Sequence, residues 1–438
     1  PWELIFLPDK SILITERAGR IRLFRNDTLV IRPVFEIPGI PLDNKSGLLG
    51  LCLHPGFSKN KLIYVANNYL SDNRMKLRIT RNRLENDTIT DALVIRENIP
   101  ANRNHTGCRL LFGPDQKLYI TTGDADEAIL SQDLKAFNGK ILRLNDDGSV
   151  PADNPFAKND TALKEIWSYG HRNPQGLRFQ PGTNDLYASE HGPTGGDEVN
   201  RIVKGANYGW PVVHHRETRV GIRPPLHEYS PSVGPSEIIF PVNSRFVQFN
   251  NRLLMATLRG ESLISLQISN RRIVKQEIYF RKRFGRIRSI VIGPDGYLYM
   301  STSQNDPPEG SGGGGYDMIL RLRPAPGTGP IKPDSVIKKV AAMVEPVSTV
   351  KSKTAIKLIT QLCGSCHGND LKGTKTAKGL INVPLQFGTG RTAIVKNISK
   401  GIVAKGMPAW KGAISEGDIG LLADYILAQR KNSSTSQK

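Results

Sequence analysis

Through the first three quarters of the chain, one order of apolar and polar positions recurs. A short apolar run meets a Pro-Asp or similar turn and then an alternating strand. Ile5-Phe6-Leu7-Pro8-Asp9 leads into Ile12-Leu13-Ile14-Thr15, and Leu51-Cys52-Leu53-His54-Pro55 leads into Leu62-Ile63-Tyr64-Val65. Leu110-Leu111-Phe112-Gly113-Pro114-Asp115 precedes Leu118-Tyr119-Ile120-Thr121, and Leu177-Arg178-Phe179-Gln180-Pro181 precedes Leu186-Tyr187-Ala188-Ser189. Two further copies open at Arg245 and at Ile290. The copies lie roughly 45–70 residues apart, room for about four short strands each, and such repeats with hairpin signals indicate propeller blades. Hairpins scattered through a sandwich would give similar signals. The near-identical Gly-Pro-Asp-x-x-Leu-Tyr copies at 113 and 293 favour blades. The expectation is an all-β six-bladed β-propeller over residues 1–323.

The pattern changes after Arg323. Pro324-Ala325-Pro326-Gly327-Thr328-Gly329-Pro330 has linker chemistry, and we expect a linker over 324–350. A small all-α domain is expected over 351–432. Ser415-Glu416-Gly417-Asp418 fits a capping box before Ile419, Leu422, Ala423 and Ile426, which share one helix face. Ser433-Ser434-Thr435-Ser436 reads as a frayed tail.

Composition narrows the class. The 438 residues are 38% hydrophobic, enough for a core, and 42 Gly with 29 Pro argue against a helical bundle. Four Cys exclude a disulfide-stapled mini-domain. No apolar run approaches the length of a membrane-spanning helix. The net charge is +20, and residues 331–438 carry 17 basic against 6 acidic side chains. No nucleic-acid recognition motif accompanies that charge, so an acidic protein partner is expected instead. The chain opens at Pro1 in strand-like sequence, which reads as a mature form or a fragment.

Cys363-Gly364-Ser365-Cys366-His367 is the most specific signal. C-x-x-C-H is the attachment motif of c-type haem: both thiols can bond the porphyrin edge, and the adjacent His ligates iron. Met407, in Gly406-Met407-Pro408, is the candidate sixth ligand, and a thioether opposite His raises the potential. A zinc site would want a second ligand pair, and this region has no other Cys or His. The segment resembles a small monohaem cytochrome c domain. Haem c is normally attached outside the cytoplasm, so the resemblance implies an exported, periplasmic protein.

Polar, Gly-rich clusters stand at equivalent edges of several predicted blades. They are Asn104-His105-Thr106-Gly107, Ser168-Tyr169-Gly170-His171-Arg172-Asn173-Pro174-Gln175-Gly176, Glu190-His191-Gly192-Pro193, Asp197-Glu198-Val199-Asn200, Asn207-Tyr208-Gly209-Trp210-Pro211 and Arg286-Ile287-Arg288. Gly139-Lys140-Ile141-Leu142-Arg143-Leu144 and Pro151-Ala152-Asp153-Asn154-Pro155-Phe156 add to the set. Together, in this order, they resemble the glucose/sorbosone dehydrogenase family, the soluble PQQ-dependent aldose sugar dehydrogenases in particular.

The resemblance implies a set of roles. Arg172, Asn173, Arg286 and Arg288 match the cofactor residues, and forked guanidinium donors suit the carboxylates of PQQ. The carbonyls of Gly192 and Pro193 match a calcium site at the quinone, and Glu198 and Tyr208 a second, structural calcium site. His105 matches the general base, and Asp124 is placed to orient it. Asp197 reads as a ligand or a loop anchor. His171, His191, His214, His215 and His227 read as loop or packing residues. The sequence departs from the family at Cys108 and Ser46, and Arg259 stands where the family has a cofactor-contacting Lys. Those departures bear on substrate preference and cofactor affinity. The family's first strand is also missing before Pro1, which bears on ring closure.

The expected function is PQQ- and calcium-dependent oxidation of an aldose to its lactone. Electrons then pass to a covalently bound haem c and on to an external, acidic acceptor. A sorbosone-like aldehyde or another alcohol is an alternative substrate. A non-catalytic carbohydrate- or protein-binding propeller with an electron-transfer cytochrome is the alternative from another class.

Overall fold

A computed structural model describes residues 1–41, 46–215, 217, 219–304, 316–325, 329–338, 340, 355–356, 358–381, 383–411 and 413–435. The chain forms two compact units, the first comprising Pro1–Glu217 and Arg223–Val344.

The first unit is a six-bladed β-propeller of antiparallel sheets. Their innermost strands are Leu4–Phe6, Leu48–Leu53, Gly107–Phe112, Pro174–Phe179, Pro235–Ile239 and Ile287–Ile292. The recurring sequence pattern is the first hairpin of each blade. Its Asp caps the turn: Lys117 N donates to Asp115 Oδ1 at 3.2 Å and Tyr297 N to Asp295 Oδ1 at 3.0 Å. The tyrosine of the same motif returns to that carboxylate, Tyr119 Oη to Asp115 Oδ2 at 2.9 Å and Tyr299 Oη to Asp295 Oδ2 at 2.8 Å.

The hydroxyl residue one position before the end of several second strands reaches the next blade. Thr15 Oγ1 donates to Leu49 O at 2.9 Å, Thr121 Oγ1 to Pro174 O at 3.1 Å, and Ser189 Oγ to Ser236 O at 2.8 Å. Between blades the alternating apolar faces interdigitate. Leu49, Tyr64 and Leu77 of the second blade pack with Leu110, Ile120 and Leu142 of the third. The first and sixth blades close the ring through Leu4, Ile12, Ile14 and Tyr299, with Phe6 edge-on to Tyr299 at 4.9 Å.

The sixth blade has three strands among the described residues, Ile287–Ile292, Leu298–Thr302 and Ile319–Leu322. The fifth has five, because Ser335–Ile337, inside the stretch read as linker, pairs with Arg272–Tyr279. Residues 341–354 of that stretch and of the expected cytochrome start lie outside the described residues.

At the centre of the ring, three alternate blades meet. Arg109 of the third blade pairs with Glu3 of the first, and its Nη1 lies 3.6 Å from Glu237 of the fifth. All three are buried. Burial pushes the Glu3 carboxyl up to about 8 against the pull of Arg109.

The second unit is helical. Short turns over Ile359–Cys363 and Gly364–His367 carry the C-x-x-C-H motif, followed by helices Arg391–Lys400 and Glu416–Thr435. Half of the expected capping box forms: Asp418 N donates to Ser415 Oγ at 3.1 Å, while the Asp418 carboxylate accepts from the Ser415 hydroxyl at 2.8 Å in place of its backbone N–H. Ile419, Leu422, Ala423 and Ile426 pack on Ile359, Ile394 and Ile398. The last helix continues through Ser433 and Ser434, which the sequence suggested as tail.

Candidate active site

The ends of several blades build a cleft of about 170 Å³ at the channel mouth, with Trp2 in its lining. It brings together His105, Arg172, Asn173, Gly192 and Pro193, from loops far apart in sequence. Arg259, Arg286 and Arg288 complete its wall, Arg259 exposed and the other two buried.

His105 is held in a left-handed conformation (φ 50°), uncommon for a non-glycine residue. Ala125 N donates to its carbonyl at 3.1 Å. Gly123 makes that approach possible, because a Cβ there would lie 1.7 Å from His105 O. The imidazole Nδ1 donates to Asp124 Oδ1 at 2.8 Å and lies 3.2 Å from Asp126 Oδ1. Asp124 does not line the cleft. It is buried behind the ring, where Asp124 N donates to Arg172 O at 2.8 Å and Asn138 Nδ2 to Asp124 O at 2.9 Å. An imidazole whose Nδ1 proton is engaged by a carboxylate keeps Nε2 free as a base.

Arg172 Nη1 donates to Gly192 O at 2.6 Å, and its backbone N donates to Glu190 Oε2 at 2.9 Å. Its Nε is buried with no hydrogen-bond partner among the described residues. Burial lowers its pKa below the ordinary guanidinium value, so an added anion would stabilise the cation. Gln175, quoted in the motif but given no role, is the centre of a buried network. Its Nε2 donates to Asn173 Oδ1 at 3.0 Å and to Gly107 O at 3.2 Å, while Arg288 Nη1 donates to its Oε1 at 3.0 Å. Arg286 Nε donates to Ser303 O at 3.0 Å.

Asp197 is a loop anchor. Its Oδ2 accepts from Ser232 Oγ, Val233 N and Gly234 N, each at 2.7 Å, and its Oδ1 from Gly192 N at 2.9 Å. Lys140 is a buried ammonium that sequence reading missed. It donates to Leu130 O at 3.0 Å, Ser131 O at 3.1 Å and Asn138 O at 2.6 Å, and burial pushes its pKa down to about 7. Gly139-Lys140 was visible as a motif, but nothing in it signals three carbonyls brought together by a loop.

Glu198 and Tyr208 line a second, smaller pocket with Glu190, Gly192 and Pro193. Burial, with Glu190 nearby, holds the Glu198 carboxyl well above its ordinary pKa, and Asn200 Nδ2 donates to it at 2.9 Å. The Tyr208 hydroxyl is engaged elsewhere, donating to Arg201 O at 2.6 Å and accepting from Val203 N at 2.9 Å. Only its main-chain oxygen remains to serve a cation.

His171 is a buried packing residue, stacked on Tyr208 at 4.6 Å. Cys108 is buried in the core with its thiol pushed far up by burial, an inert filler. Ser46 is likewise buried, its Oγ donating to Pro41 O at 2.8 Å.

In the second unit, Cys363, Cys366, His367 and Met407 all line one cavity of about 660 Å³. Its other walls include Leu362, Leu380, Leu385, Ile394, Ile398 and Trp410. His367 Nδ1 lies 2.8 Å from Lys378 O, to which it donates, so Nε2 is the nitrogen left to ligate. Met407 is held by paired main-chain bonds with Ile402, at 2.9 and 3.2 Å.

A propeller that gathers a His–Asp pair and several guanidiniums at one cleft, in one chain with a cavity lined by two cysteines, a histidine and a methionine, has the architecture of an oxidoreductase. Residues 1–308 match the glucose/sorbosone dehydrogenase family, and residues 353–426 match the cytochrome c oxidase, cbb3-type, subunit III family. The chain therefore belongs to the glucose/sorbosone dehydrogenase family and carries a C-terminal cytochrome c domain. The aldose sugar dehydrogenase YliI of Escherichia coli is 33% identical over 324 residues, 70% of this chain and 87% of that protein. Quinoprotein glucose dehydrogenase B of Acinetobacter calcoaceticus is 36% identical over 49% of this chain and 50% of its own length. Among solved structures, the PQQ-bound aldose sugar dehydrogenase of Streptomyces coelicolor superimposes with a TM-score of 0.65. It is 32% identical, with 73% of this chain and 93% of that one covered.

Proposed function

We propose that the chain oxidises an aldose at its C1 hydroxyl to the lactone, with PQQ and calcium in the propeller, and passes the electrons to haem c in the second unit. The observation that carries this reading is the convergence of the His105–Asp124 pair with Arg172, Arg259, Arg286 and Arg288 on one cleft. The names of the relatives support it: one is an aldose sugar dehydrogenase and one a quinoprotein.

The residues fit PQQ. It is a tricarboxylated cofactor, and Arg172 offers a buried, unpartnered Nε in a cleft walled by three further guanidiniums. When bound, PQQ supplies the orthoquinone that accepts hydride. Arg172, Arg259, Arg286 and Arg288 would hold its carboxylates and carbonyls, with Asn173 as a neutral partner. The main-chain oxygens of Gly192 and Pro193 are the hard oxygen donors calcium takes, and Gly192 O would be shared with or released by Arg172 Nη1 when the ion binds. A second calcium fits Glu198, whose buried carboxylate a cation would stabilise, with the main-chain oxygen of Tyr208. The apolar cavity with Cys363, Cys366, His367 and Met407 fits haem c, which supplies a one-electron iron centre.

The protein's own part of the reaction is proton transfer and alignment. His105 Nε2 accepts the proton of the sugar hydroxyl. Asp124 keeps the imidazole in the right tautomer and stabilises the imidazolium. The arginine wall compensates negative charge in the cleft.

Covalent haem attachment supports a periplasmic or otherwise exported setting. The excess of basic residues after 330 supports an acidic electron acceptor.

The test is reconstitution of the full chain with PQQ and calcium, following dye reduction with a panel of aldoses, aldehydes and secondary alcohols. Aldose-dependent reduction is expected. Reduction only with aldehydes or alcohols would replace the substrate. No reduction at all, with haem bound, would leave a binding propeller.

A further inference from the structure

The motif Asn207-Tyr208-Gly209-Trp210-Pro211 enters the reading above only through Tyr208. Its tryptophan touches both halves of the site. Trp210 Nε1 donates to Asp124 Oδ2 at 2.8 Å. The other carboxylate oxygen accepts from His105 Nδ1 at 2.8 Å and from Asp126 N at 2.9 Å. Both oxygens of the buried Asp124 are thus engaged, and the indole is the partner that stops the carboxylate from turning about its Cβ–Cγ bond. The same indole ring faces Arg172, whose Cζ lies 5.2 Å from the ring centroid. The main chain of Trp210 is tied to both loops. Trp210 N donates to Gly170 O at 2.9 Å, two residues before Arg172, and Gln132 Nε2 donates to Trp210 O at 2.7 Å, from the segment after Asp124.

We propose that Trp210 is a positioning residue that holds the His105–Asp124 pair and Arg172 in a common register. This rests on the functional reading above. The two contacts use different parts of the indole. The N–H bonds a charged acceptor, the stronger kind of hydrogen bond. The ring face attracts the guanidinium and keeps it over the cleft. Substitution can therefore separate them.

The experiment uses the full-length protein with haem bound. Trp210→Phe keeps a ring and removes the N–H. It should lower kcat about 10- to 100-fold, the range for losing a hydrogen bond to a charged group. KM and the PQQ dissociation constant should stay near wild type. Before PQQ is added, the variant should also shift the His105 Nδ1 proton resonance in ¹⁵N-edited NMR. Trp210→Leu should show both effects and weaken PQQ binding about 2- to 30-fold, the range of a cation–π contact. Trp210→Met stands in if the leucine variant does not fold. Wild-type kcat together with an unshifted His105 signal in Trp210→Phe would overturn the dyad half. Wild-type PQQ affinity in Trp210→Leu or Trp210→Met would overturn the arginine half. If the wild type shows no PQQ-dependent activity, the functional reading fails instead, and the NMR measurement still decides the dyad half.

Discussion

The two pockets of this chain hold their chemistry in opposite ways. In the propeller, a small cleft is walled by charged and amide side chains held by hydrogen bonds: Arg288 to Gln175, Gln175 to Asn173, and Arg172 to the main-chain oxygen of Gly192. Arg172, Asn173 and Gln175 come from one motif, while Gly192 and Arg288 come from stretches far from it. In the second unit a cavity almost four times larger is walled mostly by apolar side chains, and its reactive residues are Cys363, Cys366, His367 and Met407. The difference follows from how each fits its group. An anionic cofactor held without a covalent bond needs cations fixed in advance, because ordering them at binding would cost affinity. A haem anchored by two thioether bonds needs the two thiols, an axial pair and an apolar slot.

That contrast can be broken experimentally. The largest effect is expected for Cys363→Ala/Cys366→Ala, which should abolish covalent haem while dye reduction by the propeller persists. Haem absorption surviving denaturation would break the assignment. His105→Ala should reduce kcat by about 10²- to 10⁴-fold, the usual contribution of a general base. Its haem spectrum should stay unchanged, and retained turnover would remove His105 as base. Arg288→Ala should weaken PQQ about 10- to 100-fold, since it removes a charged donor and leaves Gln175 Oε1 without it. Titration of the free protein with PQQ reads that directly. Met407→Ala should change the haem spectrum and lower the reduction potential, because the thioether is the ligand that raises it. An unchanged spectrum would show another sixth ligand.

The smallest effect concerns Lys140. Its folded pKa of about 7 lies below the unfolded value, so the unfolded chain binds more protons between pH 7 and about 10.5. Its share of stability therefore rises with pH through that window, by at most about 1.4 kcal/mol per pH unit. Lys140→Met should flatten this climb in denaturant unfolding measured across the window, whatever its effect at one pH.

The same contrast explains what the sequence disclosed. The C-x-x-C-H motif places two thiols and a histidine within five residues, so local order alone reveals that pocket. The blade repeat was equally open, because the Asp115–Tyr119 and Asp295–Tyr299 bonds close within a single hairpin. The propeller cleft was read through its arginines and His105, which stand in recognisable clusters. Trp210, Gln175 and Lys140 stayed silent. Each works through partners brought near by the ring, such as Asp124, 86 residues from Trp210. Asp197 could be read two ways until its three donors at residues 232–234 were placed. The pairing of Ser335–Ile337 with the fifth blade was hidden for the same reason: Pro- and Gly-rich composition marks a break in pattern and cannot show that the chain returns to a sheet edge.

The buried triad at the ring's centre has a consequence of another kind. Glu3, Arg109 and Glu237 come from the first, third and fifth blades, and an apolar trio of similar volume would stabilise the core as well or better. What the trio adds is a link across the ring. Through Arg109 the third blade is tied to the first and lies against the fifth, so blades that are not neighbours are held at one spacing beneath the cleft.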